Sequence, residues 1–145
     1  MEKFFSGDYK PNYKPKLTIF NVNKKTNLKF FQKIGKNNYK NVPIGTCIDE
    51  EVVSPDLFEF YLQSMEFEKG TLLPVHYLCL FNNNEDLSMT DFEEITFNQS
   101  YYRWNSSGPT RIPVALTNAE EMNKYCKKYL SHEVLPCLKD SPYFI

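Results

Sequence analysis

The stretch PVHYLCLF, residues 74–81, constrains the fold most. In an extended strand alternate side chains point to opposite faces, so Val75, Tyr77, Cys79 and Phe81 share one side and His76, Leu78 and Leu80 the other. A strand that is largely apolar on both faces belongs in the interior of a parallel or mixed sheet, with a neighbour on each side. A chain of 145 residues has room for one such domain. Only a few strands and helices are legible in it, which makes a small sheet, and part of that sheet is expected from another polypeptide segment.

The other elements follow from periodicity and turn chemistry. KPKLTIFNVNKK (14–25) is a short β-rich run, and LKFFQKIGKNN (28–38) reads as its partner strand, ending in a Gly-Lys-Asn turn. VPIGTCIDEEVVS (42–54) reads as a strand. Ser54-Pro55-Asp56 is either a turn or a helix start, and the LFEFYLQS that follows fits helix or strand. Thr90 and Glu93 have capping-box spacing for a helix carrying Phe92, Ile95, Tyr101 and Tyr102. TRIPVAL reads as extended, with Thr117 starting a second helix whose Ala119, Met122, Cys126, Tyr129 and Leu130 recur at helical spacing as one buried stripe. Strands alternating with helices predict an α/β architecture, a mixed sheet with flanking helices.

Composition is that of a globular protein, 41% hydrophobic and 24% charged, with a high aromatic share of 16%. There is no apolar run of signal-peptide length after Met1 and none of the roughly 18 residues a membrane helix needs. The expectation is an intracellular protein, cytoplasmic or nuclear, with no membrane partner. Cys47, Cys79, Cys126 and Cys137 form no C-x-x-C pair and suit reduced, mostly buried thiols. The net charge of −1 conceals a strong polarity, because residues 1–40 carry +8 and the remainder −9. That lysine-rich segment is either a phosphate-attracting face or a solvated edge.

Motifs for most catalytic chemistries are absent: no Gly-rich phosphate loop, no G-x-S-x-G, no H-E-x-x-H. His76 falls mid-strand, where a hydrogen-bonded structural histidine is expected. Cys126, His132 and Cys137 lack zinc-ligand spacing. Asp49, Glu50 and Glu51 are adjacent in an extended run and cannot converge on one metal, which leaves a solvated strand end.

In order along the chain, NYKPKLTIFNVNKKTNLKFF, VPIGTCID, SPDLFEFYLQS, GTLLPVHYLCLF, DFEEITF, YYRW, RIPVAL and PYFI resemble segments of the C-terminal half of the PIWI domain of Argonaute proteins. L-Q-S together with Y-Y-x-W is closer to the Piwi branch. The resemblance covers residues 12–145, with 1–13 a weakly matched lead-in. It implies a partial RNase H-like fold.

The family holds two divalent metals with three acidic residues and a histidine and cleaves target RNA opposite a small guide. The acidic positions lie upstream of the matched segment, and alignment from Ile112-Pro113 puts Glu120 at the histidine position. Glu120 three residues after Thr117 satisfies a helix cap, and that reading is preferred to a metal ligand. No cofactor is therefore expected within this chain, Mg²⁺ belonging to the complete domain.

The resemblance instead implies binding of guide RNA phosphates and of the guide–target duplex. By position the candidates are Tyr102, Trp104, Arg111, Thr117, Lys124, Lys127 and Lys128, with the terminal Ile145 near the guide's 5′ phosphate or simply docked as an apolar tail. The expected partners are guide RNA, target RNA and the remainder of an Argonaute or Piwi protein. Two alternatives are a protein-interaction module and a nuclease part completed by the missing half.

Overall fold

The computed structural model describes residues 14–66, 70–129 and Pro136. Its strands are β1 (Thr18–Asn23), β2 (Phe31–Lys33), β3 (Tyr39–Asn41), β4 (Thr46–Ile48), β5 (Glu59–Gln63) and β6 (Val75–Asn82). Its helices are α1 (Met89–Asn98) and α2 (Val114–Tyr129), with a 3-10 turn at Gln99–Tyr101. The principal sheet has the order β1-β6-β5-β4, every pair antiparallel. β6 is thus interior, as its sequence requires, and both neighbours come from this chain.

Register explains the core. Val22 pairs with Tyr77, Tyr77 with Phe60, and Val75 with Leu62, so these side chains share one face. Phe60, Leu62, Val75 and Tyr77 are buried there with Ile112, and the Phe60 and Tyr77 rings stack at 5.0 Å. Each such side chain contributes roughly 1.5–3 kcal/mol by leaving water. α1 lies across this face, its Phe92 ring 5.6 Å from Phe20 and 5.7 Å from Phe58. A sheet with a helix on its apolar face is the α/β arrangement expected.

The opposite face is polar at its centre. His76 Nε2 lies 2.8 Å from Glu59 Oε2, and its ring stacks on Tyr61 at 4.6 Å, so it is the hydrogen-bonded structural histidine anticipated. The Ser54 amide also donates to Glu59 Oε1. That bond, with His76, holds the Glu59 carboxyl below its usual range. At the far end of β6, Leu80 and Phe81 stand exposed.

Several local expectations are corrected. Residues 28–38 do not pair with 14–25: β1 pairs with β6, through a bulge between Ile19 and Phe20, while β2 folds back on β3. The Gly-Lys-Asn turn closes this local hairpin, the Ile34 amide donating to the Asn38 carbonyl at 2.9 Å. Within 42–54 only Thr46–Ile48 is strand, and LFEFYLQS resolves as strand β5. Asp49, Glu50 and Glu51 are exposed beyond β4, as expected.

The capping box of α1 is Ser88 with Asp91, two residues upstream of Thr90 and Glu93. α1 ends at Asn98, which leaves Tyr101 and Tyr102 outside it and exposed. In α2 only Val114 is buried; Ala119, Met122 and Tyr129 of the expected stripe are exposed and Cys126 half-buried, because among the described elements the helix packs against the 3-10 turn and does not lay its length on the sheet. Cys47 and Cys79 are also half-buried, and these two are free thiols. Leu130, His132 and Cys137 lie outside the described residues.

Two substitutions test this packing. Gly45 has φ +82°, and a Cβ there would come within 3.3 Å of the Phe97 ring. Gly45→Ala is expected to destabilise by about 1–2 kcal/mol in urea denaturation. Glu93, on α1, lies against the Cys47 thiol, and burial reinforced by Asp49 raises its carboxyl above the usual range. A raised folded value means that the native state favours the protonated form, so ionised Glu93 opposes folding at neutral pH and the opposition fades as pH falls. Glu93→Gln is expected to raise the melting temperature at pH 7 by about 2–4 °C, a gain that vanishes near pH 4.

Candidate nucleic-acid interface

α2 begins three residues earlier than Thr117. The Pro113 carbonyl accepts the Leu116 and Thr117 amides at 3.0 and 3.1 Å, so Val114 opens the helix. Proline suits that entry, since it fixes φ and lacks an N–H that would go unsatisfied. The Thr117 hydroxyl turns back toward the Ile112 and Pro113 carbonyls at 3.4 and 3.5 Å and caps nothing. Glu120 is therefore not a capping-box partner. It sits nearly two turns into the helix, where both carboxylate oxygens accept the Lys24 ammonium, Oε2 at 2.6 Å.

This ion pair forms one wall of a cleft of about 380 Å³ at the start of α2. Lys24, Arg103, Arg111, Ser106, Thr110, Thr117 and Glu120 supply its polar lining, with Met65, Pro109 and Ile112 beside them. Arg103 is oriented by Asn105 Oδ1 at 2.7 Å and by both Glu121 oxygens at 3.0 and 3.1 Å. Arg111 Nη2 donates to the Lys24 carbonyl at 2.7 Å and the Leu73 carbonyl at 3.0 Å. On the other side of the Lys24–Glu120 pair a second groove, about 340 Å³, runs between β1 and α2 past Val22, Leu116 and Ala119.

Three cationic side chains thus meet in one cleft, two of them held by consecutive glutamates of α2. Both pairs are partly solvated, and such pairs are worth only about 0–1 kcal/mol. A phosphate, with its several acceptor oxygens, can compete for either cation against so weak a pairing.

Of the residues singled out from sequence, Arg111, Thr117 and Glu120 come together in this cleft. Tyr102 and Trp104 flank Arg103 in the chain and are 72% and 77% exposed. Lys124 and Lys128 line a separate shallow groove with Glu121, Tyr125 and Tyr129, the Lys128 ammonium lying 4.9 Å from the Tyr129 ring centre. Lys127 is exposed on the same helix. Ile145 lies outside the described residues.

Sequence reasoning missed Arg103 and Lys24. Arg103 stood in plain view between Tyr102 and Trp104. Lys24 is 96 positions from Glu120, and no local pattern links them.

Comparison with known proteins places the chain in a family. The Piwi domain family model matches residues 2–131. The chain belongs to the Piwi domain family. It is 27% identical over 134 residues to Piwi-like protein 1 of Gallus gallus, covering 92% of this chain and 15% of that protein. It is 30% identical over 108 residues to Protein piwi of Drosophila melanogaster, covering 74% of this chain and 12% of that protein. The chain therefore spans a small fraction of the length of the relatives it matches.

Among solved structures, Drosophila Piwi superposes with a TM-score of 0.78 at 26% identity, over 90% of this chain and 18% of that one. A Kluyveromyces polysporus Argonaute solved with a guide RNA gives a TM-score of 0.76 at 24% identity, over 92% of this chain and 19% of the other. The sheet and helices of this Piwi-domain chain are accordingly part of an RNase H-like fold.

Arg111 fixes the cleft floor through two carbonyls. Arg111→Ala is expected to destabilise the protein by about 2–4 kcal/mol, whereas Lys124→Ala, exposed along the helix, stays within about 0.5 kcal/mol, both read from urea midpoints.

Proposed function

We propose that this Piwi-domain chain binds the phosphates of a single-stranded guide RNA, alone and paired with its target, and does not cut either strand with its own residues. The observation that carries the reading is the convergence of Lys24, Arg103 and Arg111 on one cleft at the start of α2. Ammonium and guanidinium groups beside the free N–H groups of a helix start give positive potential and directed donors, which a phosphate diester satisfies. Tyr102 and Trp104 supply exposed rings next to Arg103 for stacking on bases, and Lys124, Lys127 and Lys128 continue the positive track along α2. The Argonaute solved with a guide RNA supports the choice of ligand. The rest of a larger Argonaute or Piwi protein would complete the groove, in the cytoplasm or nucleus.

A divalent metal does not suit this cleft. Glu120 is the only carboxylate among the described residues that line it, and Lys24 occupies both its oxygens. Mg²⁺ demands several oxygens in octahedral array. Ions of that kind belong with residues elsewhere in a complete domain.

Fluorescence titrations with 5′-phosphorylated and 5′-hydroxyl RNA at two salt concentrations test the reading. Affinity is expected to fall with salt and to favour the phosphorylated strand. Arg103→Ala should weaken binding about tenfold, and Glu120→Gln, which frees Lys24, should tighten it about two- to fivefold. Binding that ignores salt, 5′ phosphate and both substitutions would overturn it.

A further inference from the structure

We infer that the β2–β3 hairpin is a second nucleic-acid surface, taking a single-stranded RNA segment on Phe31, Lys33, Lys36, Tyr39 and Lys40. It shares no residue with the cleft at α2. Its root lies against the opposite face of the principal sheet, where the Phe30 ring meets Tyr61 edge-on at 5.8 Å. A second tie, from Asn41 Nδ2 to the Gly70 carbonyl, fixes the other strand of the hairpin. Beyond these anchors the ribbon pairs, among the described residues, only with itself.

Its surface is unlike that of a solvated loop. Every residue from Phe31 to Lys40 is exposed, including Phe31 at 47%, Ile34 at 57% and Tyr39 at 59%. Lys33 pairs with Tyr39 and Phe31 with Asn41 in the register, so one face of the ribbon carries two rings with an ammonium beside them. Lys36 sits at the tip, and Lys40, opposite Gln32, serves the other face.

No carboxylate occurs between Asp8 and Asp49, a stretch holding nine lysines. Among the described residues the ion pairs engage Lys16, Lys24, His76 and Arg103, none of them on the hairpin. Its ammonium groups therefore project an undiluted positive field.

Rings interleaved with lysines that no carboxylate among the described residues neutralises match what an unpaired strand offers: phosphates at regular intervals and bases with free faces. An apolar partner would have to strip water from three ammonium groups without replacing it, which is costly. A duplex would leave the two rings unused.

The test compares wild-type protein with two hairpin variants, Lys33→Glu/Lys36→Glu/Lys40→Glu and Phe31→Ala/Tyr39→Ala, and with the cleft variant Arg103→Ala, using fluorescein-labelled single-stranded RNA with or without a 5′ phosphate. The charge-reversed hairpin should bind about tenfold more weakly at moderate salt and lower the slope of log affinity against log salt by about 2, near 0.7 for each phosphate no longer neutralised. The aromatic variant should lose affinity about threefold or more with the slope nearly unchanged. Both should keep the wild-type preference for 5′ phosphate, which Arg103→Ala should reduce.

Absence of 5′ discrimination in wild type with the hairpin effects intact would remove the cleft reading and leave this one standing. Hairpin variants that bind as tightly as wild type, with an unchanged salt slope, would overturn it. So would polyglutamate competing as well as RNA of equal charge, since that would make the ribbon a site for acidic protein.

Discussion

The guanidinium of Arg111 joins three parts of the chain that are far apart in sequence. A single nitrogen donates both to the Lys24 carbonyl just past β1 and to the Leu73 carbonyl just before β6. The next residue, Ile112, is buried against Phe60 and Tyr77, and α2 starts two positions later. The end of an edge strand, the start of the central strand and the start of a helix are therefore fixed to one another by a single planar group. Everything that lines the cleft inherits its position from that junction. Thr110 extends the tie to the 3-10 turn, its amide and hydroxyl both meeting the Ser100 carbonyl, so the segment bearing Arg103 is held as well.

Charge in this protein is arranged by sequence half and by side-chain reach. The lysines of the first third meet the glutamates of the last third at Lys24–Glu120, where α2 approaches the end of β1. Neutralisation there is partial, because both members remain open to water. On the hairpin no such meeting takes place among the described residues. The polarity visible in the composition thus becomes two different surfaces, one balanced by intramolecular partners and one left unbalanced.

What could be read from sequence was what depends on short-range pattern. The interior character of 74–81, the structural role of His76 and the helical nature of both C-terminal segments all follow from periods of two or 3.6 residues. The PIWI resemblance extended this to the architecture, which neither pattern nor composition specifies. Pairing was harder, since 14–25 could join any strand with a complementary face, and the tight turn after Ile34 captured its expected partner first. Thr117 misled because a threonine followed by a glutamate mimics a cap wherever it falls, whereas the preceding proline had already set the helix start. The stripe on α2 was expected to be buried because helical spacing records amphipathicity and says nothing of what lies opposite. Arg111 and Thr117 were candidates through the resemblance, and the fold brings both to one cleft. Lys24 required the tertiary fold.

The bulge between Ile19 and Phe20 has a bearing on how copies of this molecule behave in company. β1 is an edge strand among the described residues, with exposed Leu17 and Ile19 near its start, and a flat edge of that kind recruits strands from other chains. The extra residue is Leu80 on the adjoining β6, where one step along β1 matches two along its partner, so the ladder behind this edge is uneven and more strongly twisted. A second copy meeting this twisted border would match it for only a few residues, so the irregularity serves as a guard against edgewise zippering in concentrated solution.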